Sequence, residues 1–435
     1  MRISGAAPIM LGVVRANGRE REGESMTHKE RMLRAARGAW ADRLPFAPRL
    51  DLWHNANRRR GTLPSGYAPD ATAAEIADDL GVAHHRIIPE FLKVRTPDDT
   101  IDRGLGIFRL RGFAYRAELT GVDRVVRAED GATVVEYHTP VGSVSCRITF
   151  TEEMLRSGAS ITWLDEHVIK RPEDYRVVGY IFRNIRVSPD DDNYRAFHQE
   201  VGDKGLAVAH GLGSASPVQH LMRDLVDGTQ FYYELADHPK EVEQLVEDMT
   251  PFYDQLVRIL AASPAEAVMV GANYDDTITY PPLFEAHILP WLQRWADILH
   301  AGGKIFMSHC DGENEGLLPL LAASGIDVAE SVCAPPMVQC SLTAMRQAFG
   351  GTITIFGGVP SVVLLEESTS DDEFEAHMRN LFAEIAPGDR FILGVSDMVP
   401  PDAKWERLVR IAEMVEQWGA LPLRGTPAGS AVGTR

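Results

Sequence analysis

Cysteine is scarce in this chain. Four occur in 435 residues: Cys146 stands alone, and Cys310, Cys333 and Cys340 crowd into one segment. That usage excludes a disulfide-stapled scaffold and fits a reducing, cytoplasmic compartment. There is no Cys-x-x-Cys pair, so no ready-made zinc or redox motif is present. Long apolar runs are also missing: no stretch reaches the roughly 18 residues that a membrane-spanning helix needs. Positive charge is in deficit, with 44 Lys+Arg against 62 Asp+Glu and a net charge of -18. Such a surface repels nucleic acid and anionic lipid, so neither is expected as a partner. It counts against a polyanionic substrate as well, unless arginines gather locally. No internal repeat of about 20–50 residues is visible, which excludes solenoids and propellers.

What is present reads as an α/β enzyme. At 45% hydrophobic the composition is ordinarily globular, and the length is usual for an elaborated barrel. Residues 1–25 read as a loose N-terminal extension ahead of a second candidate start, Met26, and 421–435 as a flexible tail. Between them, 26–420 reads as one domain. Thr27 and Glu30 have the form of a capping box. Phe46 to Leu50 reads as a first strand, with Arg49, Asp51 and His54 near its end. Thr72 caps a helix from Ala73 to Leu80. Phe108 to Phe150 alternates with period two around Glu129-Asp130-Gly131 and Thr139-Pro140-Val141-Gly142, which predicts an antiparallel β insertion near residues 108–150.

From Gly205 onward short strands alternate with helices. Strands are expected at Gly205–Ala209, Val268–Gly271, Ile305–Met307, Ile326–Ala329, Thr352–Phe356 and Arg390–Val395. Helices are expected at Pro239–Ala262, Pro281–His300, Leu342–Phe349, Asp371–Ile385 and Pro400–Trp418, and Gly357-Gly358 reads as a tight turn. Repeated βα units of this kind predict a (β/α)8 TIM barrel. In that architecture ligands collect at the C-terminal strand ends. Four such ends carry polar side chains: Asn273/Tyr274/Asp275/Asp276, His309/Cys310/Asp311, Glu330 with Cys333 just beyond, and Ser396/Asp397. His309 titrates near neutrality and can move protons or bind metal. Cys310 and Cys333 offer thiolate ligands, Cys333 and Cys340 read alternatively as plain buried side chains, and Arg49 offers a fork for a substrate carboxylate. Arg58-Arg59-Arg60 reads as a solvated loop rather than a binding patch.

Four stretches, MLRAARGAWADRLPF, GANYDDTITYPPLFEAHILPWLQRWADILHAGGKIFMSHCDG, LLPLLAASGIDVAESVCAPP and FILGVSDMVPPDAKWERL, resemble the uroporphyrinogen decarboxylase superfamily. The resemblance implies a (β/α)8 barrel enzyme, a homodimer, and either methyl transfer to a corrinoid or thiol acceptor or decarboxylation without a cofactor. Arg49 is kept from the decarboxylase's arginine motif, while Ser396-Asp397 stand where that enzyme has a His-Gly pair. In the methyltransferase branch zinc is held by His-x-Cys and a distal Cys; here the order is Ser308-His309-Cys310, which implies a modified set of His309, Cys310 and Glu330, with Asp397 as the alternative carboxylate. The methyltransferase reading also implies a corrinoid protein as partner. The strand-end positions assign catalytic roles to His309, Asp311, Asp275, Tyr274 and Asp397, and substrate contacts to Arg49, His54, Asn273 and Glu330. Under decarboxylation Arg49 would hold a carboxylate and Asp275 or His309 would protonate the carbanion. A non-catalytic binding barrel is the third reading.

Overall fold

The computed structural model describes residues 25–87, 97–159, 161–271 and 273–424. The proposed extension and tail therefore lie, but for a few residues, outside the described residues. After the capped helix His28–Ala36 and the helices Asp51–Arg60 and Ala73–Asp79, the first strand is β1 (His84–Arg86). Six strands of an insertion follow: β2 (Tyr115–Leu119), β3 (Asp123–Glu129), β4 (Ala132–Thr139), β5 (Gly142–Thr149), β6 (Trp163–Glu166) and β7 (Ile185–Pro189). The chain then lays down β8 (Gly205–His210), β9 (Ala267–Met269), β10 (Ile305–His309), β11 (Val328–Val332), β12 (Thr354–Val359) and β13 (Phe391–Val395), with helices between them.

The major sheet is parallel and seven-stranded, in the order β1-β8-β9-β10-β11-β12-β13. It curls back on itself: His85 on β1 hydrogen-bonds Glu330 on β11 although three strands separate them in that order. Alternate residues build an inner core, Leu206 and Val208, Ala267 and Met269, Ile305 and Met307, with Val328, Phe356 and Ile392. Met32, Ala35 and Ala36 of the first helix close its lower end. The other face of each strand packs on the helices through residues such as Phe306, Ala329 and Leu393. This two-sided burial is why the strands are short continuous apolar runs. Among the described residues no helix is long and apolar enough to cross a membrane.

Several expectations are corrected by packing. Phe46 to Leu50 is not a strand. Phe46 makes a single parallel bridge to Leu393, Pro48 has no N–H to continue a ladder, and Leu50 already caps the helix Asp51–Arg60. The stretch nevertheless touches both sheet edges: Ala47 N–H donates to Leu393 O, Leu393 N–H to Pro45 O, and Ala83 N–H to Phe46 O. Arg58, Arg59 and Arg60 lie in that helix rather than in a loop. The insertion is larger than expected, with β3 to β6 in one antiparallel sheet and β2 paired to β7 in another. The Asp130-Gly131 turn has positive φ at both residues, 47° and 76°, as a tight hairpin requires. The helix expected over Pro281–His300 breaks at Ile288, because Pro290 cannot donate into a continuous helix.

Gly357 and Gly358 lie inside β12 rather than in a turn. Gly357 has φ 142°, and a Cβ there would overlap the backbone of Val332 on β11. The glycine thus permits close approach of two strands. Gly357→Ala is expected to cost about 2–3 kcal/mol in urea unfolding. A loss under roughly 0.5 kcal/mol would contradict this packing.

Candidate active site

A cavity of about 720 Å³ opens among the C-terminal ends of the parallel strands. Six arginines line it, Arg49, Arg58, Arg59, Arg86, Arg103 and Arg223, against four carboxylates, Asp51, Glu200, Asp224 and Asp397. The chain as a whole is acidic, yet this wall has an excess of cations. Its apolar part includes Phe108, Ile161, Met269 and Met398. Phe108 and Ile161 come from the insertion and the segment before it, so that part of the chain reaches the mouth.

His309 is the last residue of β10 and faces the cavity. It lies in register with Glu330 on the parallel neighbour, so both side chains point inward. His309 Nδ1 sits 2.6 Å from Glu330 Oε2, and His85 Nε2 sits 2.9 Å from Glu330 Oε1. Glu330 is only 1% exposed, so this carboxylate is shared between two imidazoles and shielded from water. Burial works against a charged His309, but the charge and hydrogen bond of Glu330, with Asp397 beyond, outweigh it and hold the imidazole above its ordinary value. Burial likewise opposes the Glu330 anion, but His309 and then His85 outweigh it and hold the carboxyl well below the usual range. The free edge of the ring, Nε2, lies 3.7 Å from Asp397 Oδ1. Arg49 Nη1 pairs with the same oxygen at 2.9 Å, and Ser331 Oγ–H donates to it at 3.2 Å.

Glu330 and Ser331 are neighbours, yet both reach this cluster. Regular alternation forbids that. The ladder between β11 and β12 slips between Ala329 and Val332, and Ser331 has φ 63°. A bulge of this kind re-aims a side chain. Asn273 (φ 55°) and Ser396 (φ 34°) also hold positive φ at strand ends beside the cavity. Strained backbone clusters where a site must be held in place.

The expected residues separate into three groups. His309, Arg49, Asp397, His54 and Asn273 line the cavity. Asp311 stands just behind, accepting from Asn273 Nδ2 at 3.3 Å and from Cys333 Sγ at 2.9 Å. The remaining residues are turned away. Tyr274 is fully buried, its hydroxyl 2.8 Å from Ser308 Oγ, and burial pushes that phenol up. Asp275 holds its own loop, accepting from the N–H groups of Thr277, Ile278 and Glu313. Neither has a place on the cavity wall to orient substrate. Glu330 touches His309 and His85 rather than the cavity.

The metal donors regroup as well. Cys310 follows His309 in an extended strand and so faces the opposite side, its thiol directed at Ser308 O, 3.4 Å away. Burial pushes the Cys310 thiol up, and burial followed by Asp311 pushes that of Cys333 up to about 12. Instead of His309, Cys310 and Glu330, the donors that converge are His309, Asp311 and Asp397, whose ligand atoms lie within 4.8 Å of one another. One imidazole and two carboxylates suit a divalent ion of intermediate or hard character, whereas neutral buried thiols do not supply a sulfur-rich zinc set.

Several cavity residues escaped the sequence reading, among them His210, Arg103 and Arg223. His210 ends β8 just as His309 ends β10, and the same strand-end signal applies to it. Burial, with Arg223, His309 and Arg49 nearby, pushes its imidazole down to about 3. Arg103 and Arg223 sit in irregular or tightly wound segments whose direction no periodicity gives.

The family model described as uroporphyrinogen decarboxylase (URO-D) matches residues 208–418, which carry β9 to β13 and the cavity residues His210, Arg223, His309 and Asp397. Among curated proteins none matches the chain. Of the solved structures, a methyltransferase from Methanosarcina mazei superposes with TM-score 0.49 and 14% identity, over 90% of this chain and 99% of its own. A B12-independent methionine synthase from a Shewanella species, in complex with selenomethionine, gives TM-score 0.32 and 14% identity, over 69% of this chain and 77% of its own. Over residues 208–418 the chain is similar to the uroporphyrinogen decarboxylase family.

Proposed function

We propose that this chain is an enzyme that binds a small organic acid in the arginine-lined cavity and decarboxylates it, with the His309 imidazolium as the acid. The observation that carries this reading is the His309–Glu330 pair at the wall of a cation-rich cavity. Arg49 holds the departing carboxylate. As the C–C bond breaks, CO2 leaves and its electron pair stays on carbon, where the surplus of cations stabilises it. His309 Nδ1 is engaged by Glu330, so the proton that moves to carbon comes from Nε2. Glu330 and His85 act as positioning residues, because they hold the ring and its charge without facing the cavity. The bonds that Pro45–Ala47 makes to both sheet edges support reading it as the eighth stave of a closed (β/α)8 barrel.

One observation favours a second reading. His309, Asp311 and Asp397 converge as a metal donor set, and a divalent ion there would polarise a leaving or accepting group for methyl transfer to a corrinoid or thiol acceptor. The two readings need opposite states of His309: a metal ligand is neutral, an acid is protonated. The test is elemental analysis of untagged protein after incubation with zinc or manganese, beside an assay of CO2 release from a panel of organic acids. CO2 release that persists in chelator supports decarboxylation. Near-stoichiometric metal that is lost in Asp311→Asn, with no CO2 release, would replace it by methyl transfer.

A further inference from the structure

Arg223 and Arg103 form a second cationic point on the cavity wall, apart from Arg49. Arg223 belongs to the segment after β8, Arg103 to the one before β2, and Arg49 to the stretch bridged to β13. Arg103 pairs with Asp224, whose carboxylate also feels the charge of Arg223. One carboxylate against two guanidinium groups leaves a surplus positive charge. Arg223 Nη1 and Arg103 Nε are both shielded from solvent, and neither has a hydrogen-bond partner among the described residues. Buried charged donors without acceptors are costly, and such a cost persists where a ligand supplies the acceptor. The main chain makes room for the pair. A Cβ on Gly213 would overlap the tip of Arg223, and one on Gly106 would overlap His220 and Asp224. Phe108 lies under Arg103, 5.5 Å from the guanidinium, and Met269 adds apolar wall.

We infer that the substrate is an organic acid with a second anionic group, a carboxylate or a phosphate-type group, on an apolar body, and that Arg223 and Arg103 grip this second group. The inference rests on the organic-acid reading and extends it: Arg49 serves the reacting carboxylate, and the Arg223 pair fixes the far end. A guanidinium with a free N–H edge binds either anion with directed hydrogen bonds.

The test is calorimetric titration of the full chain with three series of equal chain length: aliphatic monocarboxylates, α,ω-dicarboxylates and ω-phosphonocarboxylates. The wild type is expected to bind the best double anion at least ten times more tightly than its monocarboxylate, and the better of the two series identifies the second group. Arg223→Met should lose that factor while keeping monocarboxylate affinity within about threefold. Arg223→Lys should keep part of the factor, and a melting curve checks that both variants fold. A wild type without preference for the double anion, or a preference that survives in Arg223→Met, overturns the inference. If monocarboxylates still bind and Arg49→Met abolishes that binding, the organic-acid reading stands without it. Failure of every carboxylate to bind overturns both.

Discussion

Replacing His309 by glutamine is expected to lower turnover by about 10²–10⁴-fold, the usual worth of a positioned general acid. Glutamine keeps a polar side chain of similar reach but has no proton to release. Ligand affinity in the arginine-lined cavity should stay within a few-fold, because the arginines are untouched. The wild-type pH profile should carry the same signature. His309 is held above its ordinary value of 6.5, so kcat/KM on the acid limb is retained past that pH and falls as pH rises through the raised value. Parallel measurement of turnover and binding checks this. Turnover within about threefold of wild type in His309→Gln would remove His309 from the chemistry and favour a binding role for the barrel.

Glu330→Gln is expected to be the most destabilising single change at the site. It removes the charge that two imidazoles share in the sheet interior, and loss of one partner of a buried pair typically costs about 3–5 kcal/mol. The pH dependence fixes the mechanism. Glu330 is depressed below its ordinary 4.5, so its contribution is present above that pH and is lost as pH falls through the depressed value. His309 is raised above 6.5, so its contribution is complete below 6.5 and is lost as pH rises through the raised value. The stability gap between wild type and Glu330→Gln should therefore be widest between pH 4.5 and 6.5 and should narrow on the alkaline side. Urea unfolding across pH 4 to 9 reads this directly. The variant should also move the alkaline limb of the activity profile to lower pH, since the ring loses its counter-charge. A gap independent of pH would mean that Glu330 contributes packing rather than charge.

Much of the chain is legible because local chemistry decides it. The long amphipathic helix Pro239–Ala262 and the helix Leu342–Phe349 match their sequence boundaries. Thr27, Thr72 and Ser370 each close a capping box that fixes a helix start. The parallel strands announce themselves as short apolar runs because both faces are buried. His309 and Asp397 are legible because they stand where such runs end, which is where this architecture gathers ligands. His210 was open to the same argument.

Tertiary structure decides which of the polar strand-end residues meet. Asp275 and Asp311 look alike in sequence, yet one caps its own loop and the other stands beside His309. Strand period two turns Cys310 away from His309, and a single slip of the β11 ladder brings both Glu330 and Ser331 to one cluster. Gly357 reads as a turn until Val332 is seen against it. The arginines are the strongest case. Net charge counts every residue equally, and at -18 it speaks against an anionic ligand. The fold spreads the acids elsewhere and brings six arginines from distant segments to one wall. The sequence alone determined an acidic α/β chain with a titrating histidine at a strand end. Pairing β10 with β11 in register gave that histidine its carboxylate partner, and curling the sheet gave it a cationic cavity, because Coulomb forces depend on separation in space and not along the chain.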